Sequence, residues 1–163
     1  MDVQDIIDLV QKSEFFKTWK ETHSHAYLAH LFFEQEQCQV GYFDHSTEKM
    51  TTFFLQEENV IESQESEVFK EPGKKILFLD IAKVHINPQK ALSLAKKVQE
   101  ENYHGEMVFK SFTILQHLEI GQVFNITLVT QAMKTINIKL STETGAALQH
   151  HISSLMDMAR TEE

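Results

Sequence analysis

Nine histidines and one cysteine are the residues of this chain best able to do chemistry. His23 and His25 stand at i and i+2, a spacing that projects two side chains from one face of a strand and could hold zinc or nickel. His30 follows them into the next apolar run. No carboxylate or third histidine falls at a matching spacing, so no metal or other cofactor is expected and the chain should fold without one. His150 and His151 are adjacent; on a helix they would point about 100° apart and could not chelate together.

Cys38 lies between Gln37 and Gln39, with Glu34 and Glu36 as the nearest charges. A nucleophilic thiol needs an electropositive setting, and these carboxylates supply the opposite. Asp44 with His45, and Asp80 with His85, are the candidate acid–base pairs. They would suit a small cone-type hydrolase or isomerase in which a helix over a curved sheet encloses a pocket. Solvated caps are the plainer reading of both. There is no Gly-rich phosphate loop, no Gly-x-Ser-x-Gly and no His-Glu-x-x-His, so no catalytic residue is assigned. Gln37-Cys38-Gln39-Val40-Gly41 is similar to the Gln-x-Val-x-Gly wedge of cystatins, but its Val comes one residue late and would not reproduce the wedge.

The charge balance narrows the partners. Fifteen Lys and Arg against 24 Asp and Glu give a formal charge of −9. Such a chain repels phosphate backbones and anionic lipid surfaces, which argues against nucleic-acid and membrane partners. Residues 1–87 carry −8 of this charge. A single cysteine excludes an intramolecular disulfide. The segment Met1-Asp2-Val3-Gln4-Asp5 is acidic and shows no basic start before an apolar stretch, so a cytoplasmic location is expected. At 163 residues with 42% hydrophobic composition, the chain suits one domain with a sufficient core, as a monomer or homodimer.

The elements follow from periodicity. Val3, Ile6, Ile7 and Val10 recur at helical spacing behind Asp2, and Ser13 restarts a turn carrying Phe16 and Trp19. Dense apolar runs over 26–33, 40–45 and 50–56 predict strands, and Ile76–Ile81 reads as another. Residues 57–75 read as an acidic excursion, and the six acids between 57 and 71 make 57–71 the expected most mobile internal segment. Asn87 caps a helix with Pro88 in its first turn. Strands are predicted over 107–118, 122–129 and 134–140, then a C-terminal helix over 146–160 with Leu148, Ile152, Leu155, Met156 and Ala159 on one face. The pairs Phe15-Phe16, Phe32-Phe33 and Phe53-Phe54 read as core residues of a sheet covered on both faces.

Each half therefore reads as helix–strand–strand–strand, a candidate internal repeat of 1–56 on 84–140. An offset of 83 residues lays Gln39-Val40 on Gln122-Val123, Thr47 on Thr130, Met50 on Met133 and Thr52 on Thr135.

From Asn87 to Leu148 the chain resembles a PepSY-like unit. The resemblance rests on the helix opening with Pro88 and Ala91-Leu92, on the strand Val123-Phe124-Asn125-Ile126-Thr127-Leu128, and on the closing run Ile138 to Leu148. Thr144-Gly145 matches the family's Thr-Gly, while Ser141 stands where an Asp is common. Gly145 is expected at positive φ. The resemblance implies an inhibitory or regulatory binding role and supplies no catalytic residues. The expected fold is α+β, an antiparallel sheet from two helix–strand–strand–strand (PepSY/cystatin-like) units with helices packed on it. The expected function is a non-enzymatic module that binds a protein or peptide.

Overall fold

The computed structural model describes residues 1–68 and 72–156. Two helices, α1 (Val3–Lys12) and α2 (Glu14–Lys20), precede strands β1 (Tyr27–Glu34), β2 (Gln37–Asp44), β3 (Lys49–Gln56) and β4 (Asn59–Glu67). Helix α3 (Pro88–Asn102) then leads into β5 (Val108–Leu118), β6 (Gly121–Thr130), β7 (Lys134–Ser141) and β8 (Ala147–Ser154). These strands form one antiparallel sheet in the order β4-β3-β2-β1-β5-β6-β7-β8. The halves meet at its centre, where His30–Phe33 of β1 pair with Thr113–Gln116 of β5.

Local chemistry starts each helix where the sequence signals it. The Asp5 carboxylate accepts the Asp2 N–H at 3.3 Å. The Ser13 hydroxyl accepts from Phe16 N–H at 3.2 Å and opens α2. Asn87 Oδ1 accepts from Lys90 N–H at 2.7 Å, with Pro88 just inside α3. Val3, Ile6, Ile7 and Val10 of α1, Phe16 and Trp19 of α2, and Ala91 and Ala95 of α3 all join one apolar cluster with Val40, Phe53, Leu115, Phe124, Ile126 and Ile138 of the sheet. All three helices thus cover the same face. Gly145 has φ +78°, and a Cβ there would come within 2.7 Å of Leu94 Cδ1, so close packing on α3 adds to the need for glycine.

The sheet is larger than the expected pair of three-stranded units, and three expectations change with it. The acidic segment is not an excursion: residues 59–67 form edge strand β4, paired from Lys49–Glu67 to Gln56–Asn59. Its glutamates spread over both faces and are tolerated because the strand is exposed almost throughout. The C-terminal helix is overturned over Ala147–Ser154, which pair with β7 as β8, while Leu155 and Met156 after them are helical. The bonding groups of β7 gain partners that a helix could not give, and His, Ser and Ile are only middling helix formers. Ala159 lies outside the described residues. Finally, Ile76–Ile81 is no strand. It is an irregular strap in which Leu79 alone is fully buried, its N–H bonded to the Leu28 carbonyl at 2.9 Å.

The offset of 83 residues does not survive as a register. It would carry the Val40–Phe53 pair onto Val123 and Ile136, but Val123 pairs with Ser141 and Ile136 with Leu128. A different feature recurs. In β4, Ile61 is skipped between Val60, opposite Leu55, and Glu62, opposite Phe54. In β8, Leu148 is skipped between Ala147, opposite Leu140, and Gln149, opposite Lys139. Each edge strand carries one bulge with its extra apolar residue exposed, as bulges that twist an edge away do.

Candidate functional site: the helix-free sheet face

Successive strand side chains point to opposite faces, so the core assignments fix what the other face carries. Leu31, Phe53, Leu115, Phe124, Ile126 and Ile138 point toward the helices. Their neighbours Phe32, Phe54, Ile114, Asn125 and Asn137 therefore point away, onto a face that none of the described helices covers. Reading both members of each strand Phe pair as core requires cover on both faces, whereas helices were expected on one face or both. Instead each strand Phe pair splits, with Phe33 and Phe53 against the helices and Phe32 and Phe54 on the open side.

An aromatic centre occupies this face where the halves meet. Phe32 lies opposite Ile114, and its ring is 6.2 Å from that of Phe112. Beside them the His30 imidazole lies across Gly41, its cross-strand partner. Glu34 and Lys110 close one side with an ion pair at 2.9 Å. On β6 and β7 a polar ladder replaces the aromatics. Lys139 Nζ donates to Asn137 Oδ1 at 2.7 Å, and Asn137 Nδ2 donates to Asn125 Oδ1 at 2.7 Å. At the far end Phe78 of the strap packs on Tyr27 at 6.4 Å, and Tyr27 on Phe43 at 5.7 Å.

The sequence-flagged residues scatter. Asp44 accepts from the Ser46 hydroxyl at 2.6 Å and the Ser46 N–H at 2.9 Å, which hold its carboxyl below the ordinary range. It also feels His23, not the exposed His45. Asp80 accepts from Ala82 N–H at 3.1 Å and caps a short turn, while the His85 side chain is exposed. Neither Asp–His pair forms an acid–base couple among the described contacts. His23 donates from Nδ1 to the Trp19 carbonyl at 2.8 Å, stacks on Trp19 at 4.9 Å, and turns Nε2 toward Glu65 at 3.7 Å. His150 meets the Tyr103 hydroxyl at 2.7 Å on the helix side. His151, next along β8, faces the other way because these two sit on a strand and not on a helix. Among the described residues no three His, Cys, Asp or Glu side chains come together as a metal site. Burial pushes the Cys38 thiol up to about 12.

No family model and no curated protein matches the chain. Among solved structures it is similar to a candidate lipoprotein from Clostridium difficile 630, with a TM-score of 0.59 and 15% identity over 88% of this chain and 98% of that one. A BLIP-like protein from Bacteroides fragilis NCTC 9343 is 12% identical over 94% of this chain and 88% of that one, with a TM-score of 0.29. The first likeness concerns the fold alone, and the second is too low to carry an argument. No helix among the described residues is long and apolar enough to cross a membrane.

Proposed function

We propose that this protein is a non-enzymatic binding module, PepSY-like in role, that docks a protein partner on the helix-free face of its sheet. The observation that carries this reading is the half-buried Phe32–Phe112–Ile114 centre, flanked by the Lys139–Asn137–Asn125 ladder on a surface the described helices leave open. Aromatic side chains at the middle of a patch with polar groups around them are the composition of protein interfaces. Eight strands about 4.8 Å apart and about eight residues long offer roughly 900 Å², close to one partner's share of a standard interface. The acidic first half would steer a partner with basic surface, so association should slow as salt rises.

A second reading is strand addition at an edge. It is favoured by β8, since Ala147–Ser154 contain no Asp, Glu, Lys or Arg, whereas β4 carries Glu62, Glu65 and Glu67. The deciding experiment measures partner affinity for Phe32→Ser/Phe112→Ser and for Leu148→Lys. Loss of tenfold or more in the first variant alone supports the face. Loss in the second alone replaces the face with the edge.

A further inference from the structure

The β1–β2 and β3–β4 turns lie at one end of the sheet, beside the first turn of α3. Between them and α1 is an open cleft of about 730 Å³. Its floor is apolar, with Leu9, Phe33 and Leu55, and its rim carries Glu36, Glu57 and Glu58. We propose that this cleft is a ligand site for a primary ammonium borne on an apolar chain, separate from the sheet-face interface.

The volume lies within the range of small-molecule pockets, about 300–1,000 Å³. The floor asks for an alkyl stem. Among the described residues, none of the three rim glutamates makes an ion pair. Met1 also lines the cleft and adds to its apolar side. Like charges on one rim repel one another, and a cation placed among them is stabilised by all of them. Pro88 and Gln89 of the first turn of α3 line the cleft too. The partial positive charge of that helix end directs a cation away from α3 and toward the turn tips. A bare divalent ion fits poorly, since it takes several oxygen ligands and has no use for the apolar floor.

Phe32 and Phe112 lie on the other face of the sheet, which makes the two proposals separable. The full-length chain is titrated at low salt with octylammonium, octan-1-ol and octanoate, each below its aggregation limit, with calorimetry as the readout. Octylammonium should bind at least tenfold more tightly than octan-1-ol, and octanoate most weakly. The variant Glu57→Asn/Glu58→Gly keeps the turn and removes two carboxylates, so it should bind octylammonium no better than octan-1-ol. Phe32→Ser/Phe112→Ser should bind octylammonium like the unmodified chain. Equal affinity for all three probes, no binding of octylammonium, or unchanged binding by the turn variant would each overturn the site.

Discussion

The His30 imidazole lies so closely over Gly41 on the neighbouring strand that a Cβ at position 41 would stand 2.2 Å from His30 Cε1. The two residues are directly paired in the β1–β2 ladder, next to the bulge at Leu28–His30. A strand glycine is normally a weak point; here the ring covers the backbone that the missing side chain exposes.

Gly41→Ala should therefore cost about 1–3 kcal/mol, the usual range for overpacking. His30→Ala in the same chain should recover part of that loss by clearing the space. Urea melts of the two single variants and the double variant give the coupling. An additive double variant would show that the ring and the glycine do not meet.

Burial holds the His30 pKa below its usual value. As pH falls through about 6.5, the unfolded chain binds a proton that the folded site resists, so stability declines from there toward the lowered folded pKa. His30→Gln should flatten this part of the stability–pH curve while leaving the curve above pH 7 unchanged in shape. Equal slopes between pH 6.5 and 5 in both proteins would contradict the placement of the ring.

With its pKa near 12, the Cys38 thiol is almost wholly protonated at pH 8; roughly one molecule in ten thousand carries the thiolate. Iodoacetamide should alkylate the native protein at least a hundredfold more slowly than the urea-unfolded chain. Comparable rates would mean that Cys38 is exposed.

Glu57 and Glu58 form the two-residue turn between β3 and β4, with φ of +51° and +65°. A turn of this kind favours Asn-Gly, and left-handed backbone at ordinary residues costs about 1 kcal/mol or more each. Glu57→Asn/Glu58→Gly should raise stability by about 1–2 kcal/mol in urea melts. A loss of stability would exclude a strained turn.

Much of the helical and strand pattern was legible because it rests on local chemistry. Asp2, Ser13 and Asn87 mark helix starts, and alternation at Ile136, Ile138 and Leu140 marks β7. The edge strands were not legible. On β4 the acids fall on both faces and erase the alternation; on β8, Leu148 and Ile152 happen to lie at helical spacing. Only pairing with β3 and β7 makes these segments strands, and a single sequence does not display its pairing partners. The open face was hidden for a related reason: Phe32-Phe33 reads the same whether one face or both are covered. His30 was legible as a histidine but not as the ring over Gly41, because the two residues meet only through the β1–β2 register.

The central claim is that a protein partner docks on the helix-free face. Site-specific photocrosslinking tests it most directly, with one probe at position 112 on that face and another at position 97 on α3, both in cells expressing the full chain. A discrete crosslinked protein is expected from position 112, abolished by Phe32→Ser in the same chain and weakened when lysates are irradiated at raised salt, with no such product from position 97. The same product from both positions, or one from position 97 alone, would contradict it.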